Sequence, residues 1–361
     1  MATIGSMKRE YTDQFGHATA SADRAICIWL LLVAALVFAM VVVGGATRLT
    51  GSGLSITEWQ PLLGTLPPLS DAAWQDAFRK YQQIPQYTIL NKGMSLDAFK
   101  GIYWWEWSHR LLGRFLGAAF AIPFLFFLIR GHVRRGLAWK LGGLFVLGGL
   151  QGALGWFMVK SGLSERTEVS QYRLSAHLLL ASALLAALQW TAFDVGADAQ
   201  RRRIRLRTLP AGSKLLGMTI LALIFVQIGA GALVAGLKAG LAYNTWPLMD
   251  GHVLPSGLAA MHPWWANLFE NAATVQFDHR IAAYLLAGLV GWQTVWVFPV
   301  ADDERVRRSV VALAASVSWQ IVLGIWTLVS QVPFYLALSH QATAMLVLTA
   351  AVWHVHTLTR H

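Results

Sequence analysis

Residues 26–46 read ICIWLLLVAALVFAMVVVGGA, an uncharged run lying between Arg24 and Arg48. At a rise of about 1.5 Å per residue, about 20 helical residues cross a hydrocarbon core of about 30 Å. The run is long enough to span, and too long for the roughly 7–15-residue apolar core of a secretory signal. With the polar, mixed-charge residues 1–25 before it, it reads as an uncleaved first span. Seven further runs of this kind lie near 108–129, 138–158, 172–193, 215–237, 279–298, 309–330 and 335–357. The expected fold is an all-α integral membrane protein with eight transmembrane helices.

Composition supports this solvent assignment. Of the 361 residues, 56% are hydrophobic and 13% charged, against about 45–50% and about 25% in soluble domains. A net charge of +11 would suit a nucleic-acid binder, but 17 tryptophans and a mean hydropathy of +0.49 do not. The single cysteine, Cys27, allows neither an intramolecular disulfide nor a cysteine metal cage. The positive charge instead sets topology. Short cytoplasmic loops are rich in Lys and Arg. Such residues cluster between the second and third runs (Arg130, Arg134, Arg135, Lys140), between the fourth and fifth (Arg201, Arg202, Arg203, Arg205, Arg207, Lys214) and between the sixth and seventh (Arg305, Arg307, Arg308). Both termini are therefore expected in the cytoplasm and the long loops after the first and fifth spans outside. Those outer loops hold Trp59, Trp74, Tyr103, Trp104, Trp105, Trp107, Trp246, Trp264 and Trp265 in and beside them, which reads as an interfacial belt.

The chain also repeats. Gly53–Trp59 recurs loosely as Gly240–Trp246, Ser108-His109-Arg110 as Asp278-His279-Arg280, Gln151-x-x-x-Gly155 as Gln320-x-x-x-Gly324, and His177 as His340. Four landmarks in one order imply two halves, residues 1–205 and 206–361. Four spans per half give both halves the same orientation, so the expected architecture is two four-helix bundles related by a pseudo-twofold axis along the membrane normal.

Of eleven histidines, four (His109, His177, His279 and His340) begin the even-numbered spans, all near the outer surface. A lone histidine there is ordinarily an interfacial residue, but four at repeat-equivalent positions ask for a ligand. Haem suits two imidazoles from facing helices, because its flat ring fills the gap and offers two axial positions. Copper or zinc would want a third ligand. Arg110 and Arg280, next to the first histidine of each pair, are placed to meet propionates. His17, His132, His252, His262, His354, His356 and His361 are given no ligand role. The halves differ in acids: Glu106 and Glu58 of the first correspond to Gln276 and Thr245 of the second. Carboxylates can shuttle protons, whereas Gln and Thr cannot act as general bases at neutral pH, so the reaction is expected in the first half and a structural or electron-relaying haem in the second.

Gly44-Gly45-Ala-Thr-Arg-Leu-Thr-Gly-Ser-Gly-Leu-Ser, continuing to Glu58-Trp59, then Glu106-Trp-Ser-His-Arg and the later histidines resemble haem A synthase, in its alphaproteobacterial and mitochondrial branch. The resemblance covers nearly the whole chain. It implies an enzyme of the bacterial inner membrane that oxidises the C8 methyl group of haem O to a formyl group, giving haem A for cytochrome oxidase. It implies that His109 and His177 hold haem O, that His279 and His340 hold haem b, and that Glu106 is tied to activity. The implied partners are the lipid bilayer, haem O synthase, cytochrome oxidase assembly proteins and an electron carrier. Oligomeric state stays open. Some members carry a cysteine pair in outer loops, which this chain lacks. Two other readings use the same residues: a di-haem b membrane cytochrome taking electrons from quinol, which needs no acid asymmetry, and a transporter with a histidine proton relay, which the absence of acids inside the spans weakens.

Overall fold

The computed structural model describes residues 3–60, 63–163, 167–200 and 209–360, with side chains described from residue 21 onward apart from 63 and 198–200. Arg201, Arg202, Arg203, Arg205, Arg207 and His361, and the expected boundary at 205/206, lie outside the described residues. Among the described residues the structure is helical: α1 (Thr3–Leu49), α2 (Asp71–Tyr81), α3 (Leu96–Ile129), α4 (Arg135–Gly162), α5 (Gln171–Gln200), α6 (Ser213–Gly236), α7 (Asn267–Glu270), α8 (Ala272–Val297), α9 (Glu304–Val329) and α10 (Phe334–Thr359). Several starts are fixed by side-chain caps that satisfy first-turn amides. Ser70 accepts from the Ala73 amide at 3.2 Å, Ser95 from Ala98 at 3.2 Å, and Asp303 from Arg305 at 2.8 Å.

Seven helices are long and apolar enough to cross a membrane: α1 from Ser21, α3, α4, α5 to Ala197, α6, α9 and α10. The protein is a multi-pass membrane protein. The sequence reading expected eight spans. The remaining one forms as a helix, α8, but over no bilayer-long stretch is it as apolar as a membrane span requires. The expected second span also begins later in the sequence reading than in the structure. α3 starts at Leu96, and its 34 residues give about 50 Å of helix, well beyond one bilayer core.

The core lies along α1, α5, α6 and α10, where Leu30, Val33 and Val37 meet Leu185, Leu188, Ile220, Ile224, Met345 and Leu348. α1 packs on α3 and α5, α6 on α8 and α10, α4 on α5, and α9 on α10; α5 and α6, and α1 and α10, also touch. Gln189 donates to Thr349 across α5 and α10 at 2.8 Å. The flanking helices turn large apolar side chains outward, among them Ile122, Ile129, Trp139 and Val295. Exposing that much apolar area to water would cost about 25 cal/mol per Å2, so a lipid surround accounts for it.

A second aromatic core sits outside this bundle, between α2 and the first turns of α3. Tyr81 and Phe99 are fully buried there with Trp74, Phe78 and Tyr103, and the Trp74 and Tyr103 rings meet edge-on at 4.9 Å. Trp74 and Tyr103 therefore leave the expected interfacial belt, because the amphipathic α2 gives them a partner surface. Trp59, Trp104, Trp105, Trp246, Trp264 and Trp265 are exposed, as a belt requires.

Candidate functional site

Each of the four histidines lies one to four turns inside its helix and presses on a glycine near the end of a neighbouring helix. A Cβ on Gly44 of α1 would stand 2.8 Å from the His109 ring, and one on Gly155 of α4 3.0 Å from His177. Gly231 of α6 and Gly324 of α9 bear the same relation to His279 and His340, at 3.1 and 2.9 Å. Any side chain at these positions would displace an imidazole. Within each pair the rings are close enough for a charge on one to act on the other, His109 with His177 and His279 with His340. The buried Nδ1 atoms of all four rings lack a hydrogen-bond partner among the described residues.

Three of the histidines are also held by a glutamine one turn before the facing glycine. Gln151 donates to the main-chain carbonyl of His177 at 3.1 Å, Gln227 to that of His279 at 3.0 Å, and Gln320 to that of His340 at 3.0 Å. In each case the amide nitrogen also stands 3.3–3.4 Å from the ring Nε2. Sequence reading found the spacing at 151/155 and 320/324 as a mark of the repeat, and missed it at 227/231, where the same Gln-x-x-x-Gly spacing was there to be read.

Glu106 is buried on α3, one turn before Arg110. Its Oε1 accepts from Arg110 Nε at 3.0 Å and Nη2 at 2.6 Å; its Oε2 accepts from Ser55 Oγ at 2.8 Å and the Ile56 amide at 2.7 Å. Arg110 continues to the carbonyls of Glu58 at 2.9 Å and Ile56 at 2.7 Å, so the first long loop is fastened to α3. The second half repeats the arrangement: Arg280 donates to the carbonyls of Thr245 at 3.0 Å and Tyr243 at 3.1 Å, and to Gln276 Oε1 at 3.2 Å. The polarity of the buried group is reversed. Gln276 donates to the carbonyls of Ala239 and Tyr243, whereas Glu106 accepts. Ser55, a partner that sequence reading did not single out, aligns with Ala242.

The other site residues separate. The Glu58 carboxylate is half-exposed and pairs with Lys80 of α2 at 2.8 Å, so only its main chain joins Glu106 through Arg110. Hydrogen bonds from Lys80 to Glu58 and Asp76 hold its ammonium pKa above the ordinary lysine value. Arg110, expected to meet a propionate, has all three guanidinium nitrogens engaged by Glu106 and the loop. Arg280 keeps a buried Nε without a partner among the described residues. Beside it an apolar cleft of about 370 Å3 opens between Trp246, Leu248 and Val253 of the loop and Phe277, Ile281 and Tyr284 of α8.

His354 and His356 contrast with the four. Both ring nitrogens of His354 are bonded, Nε2 to Gln293 and Nδ1 to Ser309, each at 2.9 Å, and His356 Nε2 meets Asp194 at 3.2 Å. Their nitrogens are committed to holding α10 against its neighbours. His354→Ala is expected to lower stability by about 3 kcal/mol, from a cavity and two stranded polar groups. Thermal unfolding of purified protein checks this.

The fold and site define a multi-pass helical membrane protein with histidines paired between helices, seated on glycines, and a buried acid beside one pair. The sequence matches the COX15-CtaA family, cytochrome oxidase assembly protein, over residues 27–352, and the chain belongs to that family. Among its curated relatives, proteins named heme A synthase from Parvibaculum lavamentivorans, Azorhizobium caulinodans and Nitrosospira multiformis are 55%, 53% and 52% identical. These matches cover 93%, 93% and 94% of this chain and 95%, 94% and 94% of the relatives.

Proposed function

We propose that this protein is a haem A synthase of the bacterial inner membrane, with both termini cytoplasmic. It oxidises the C8 methyl group of haem O to a formyl group, giving haem A. The carrying observation is the pairing of four glycine-seated histidines with one buried acid, Glu106, whose counterpart in the second half is Gln276. The relatives' name agrees with this reading, and the matches give no support to a di-haem b cytochrome.

In this reading α8 is the eighth span, and residues 1–205 and 206–361 form two four-helix bundles about a pseudo-twofold axis. The matched Arg110 and Arg280 networks and the matched packing of α1, α3 and α5 with α6, α8 and α10 support it. The residues fit haem: four imidazoles in two pairs, with Nδ1 atoms that no protein group satisfies, unlike the fully bonded His354. His279 and His340 hold haem b, which when bound supplies one-electron chemistry. His109 and His177 hold the substrate haem O, and the free Nε of Arg280 is the donor left for a propionate.

Oxidising a methyl group to an aldehyde with water as the source of the formyl oxygen, R–CH3 + H2O → R–CHO + 4 H+ + 4 e−, passes four electrons to an electron carrier and releases protons to a base. Glu106 is that base, and Ser55 readies it. The Ser55 hydroxyl lies 2.8 Å from Glu106 Oε2 and 3.3 Å from the Ile102 carbonyl. Its one hydrogen can turn to Ile102 and leave Oε2, which keeps the bond from the Ile56 amide, with a lone pair to take a proton. Ser55→Ala is expected to slow haem A formation about tenfold with haem content unchanged, read as haem A per bound haem in membranes supplied with haem O.

Extraction and chromatography of pigment from protein made in cells that produce haem O tests the function. Protohaem together with haem O or haem A is the expected result. Protohaem alone overturns the assignment and returns the cytochrome.

A further inference from the structure

The four histidine corners are built alike except in one place. Three helices present Gln-x-x-x-Gly to their histidine: Gln151 and Gly155, Gln227 and Gly231, Gln320 and Gly324. The helix facing His109 keeps the glycine, Gly44, but has Met40 where the others have glutamine. A thioether cannot donate a hydrogen bond. Among the described residues no side chain donates to the carbonyl of His109, and no amide stands at its Nε2.

The exchange has a matching change on the facing helix. The Met40 methyl group lies 3.2 Å from where a Cβ on Gly113 would sit, one turn along α3 from His109. The corresponding residue of the second half is Ala283. Small residue and methionine together replace the pairing of alanine and glutamine, so the corner is refilled with apolar volume and loses its amide. The other histidine of the same pair, His177, keeps its latch, so the difference lies within one pair and belongs to one ring.

We propose that Met40 makes His109 the exchangeable ligand of the first-half iron. His109 then leaves the iron readily, opening one coordination position, while His177, His279 and His340 stay fixed by their glutamines. This rests on the haem A synthase reading, and it answers a difficulty in that reading: iron held by two histidines has no free position. Met40 acts here as a positioning residue, through its failure to hold His109. A net hydrogen bond shifts such an equilibrium by about tenfold at most, enough to separate a releasable ligand from a retained one.

Carbon monoxide reports on this directly, because it binds ferrous haem only where the Fe–N bond to a histidine has broken. Purified, haem-loaded protein reduced with dithionite is titrated with carbon monoxide and followed in the Soret band. The wild type is expected to bind at one of its two haems. Met40→Gln is expected to weaken that binding about tenfold, and Met40→Leu, similar in size and without a donor, to leave it unchanged. Gln227→Met, at the equivalent corner, is expected to make the second haem reactive as well, which keeps the test available if Met40→Gln fails to fold. Wild-type protein that binds no carbon monoxide, or loaded Met40→Gln and Gln227→Met variants that both titrate as wild type, would overturn the proposal. Failure of the parent reading shows up elsewhere, as protohaem alone in the pigment extract.

Discussion

Glu106→Gln is expected to abolish conversion of haem O while leaving haem bound. General-base catalysis contributes roughly 10²–10⁴-fold, and an amide cannot take its place, so haem A in cells carrying the variant should fall below one hundredth of normal. The variant should still fold. Gln276 occupies the equivalent place in the second half and satisfies itself by donating to two carbonyls while its oxygen accepts from Arg280. In the first half, a glutamine oxygen can take over the bond from Arg110, and the amide can turn to the Ser55 oxygen. The Ile56 amide would then lose its acceptor, a loss of about 1–3 kcal/mol. Chromatography of extracted haems checks the first outcome, and haem-to-protein ratio the second. Normal haem A would remove Glu106 from the chemistry.

His279→Ala carries the second large effect. It deletes one of two proposed axial ligands and empties the space against Gly231, where a ring carbon now packs. Loss of a partner that merely orients a metal ligand costs about 10–100-fold in affinity, so loss of the ligand itself should cost at least that. Protohaem is expected to fall below a tenth of the wild-type ratio, while haem O held between α3 and α5 remains. The first pair sits on helices seated by Gly44 and Gly155, neither of which touches this change. Retention of the full protohaem complement would contradict the division of labour between the halves.

Much of this was legible in the sequence because membrane solvent simplifies the code. Runs of about 20 apolar residues must be helices, since the bilayer offers no partner for open backbone; all eight are, and seven of those helices are long and apolar enough to cross. α8 is the run that falls short as a span, because polar residues such as Gln276, His279, Arg280 and Gln293 interrupt its apolar sequence. The matched histidines could be found by order and spacing alone. Their glycine seats could not, because a glycine marks a close approach only when the approaching ring is known. The role of Ser55 was hidden for a similar reason: it comes from a loop and reaches Glu106 across 51 positions of chain. Arg110 was expected to meet a propionate; its partners are Glu106 and two loop carbonyls, and the carbonyls leave no trace in a sequence. Trp74 and Tyr103 read as belt residues because α2, which buries them, is too short and too polar to declare itself as a packing partner.

The three glutamines also bear on how the helices are held. Each grips the main chain of a histidine residue rather than the ring alone, and so ties two helices together at the level of the ring. The register of these helices is thus set by main-chain bonds, so a change confined to one ring is expected to leave the helices where they are.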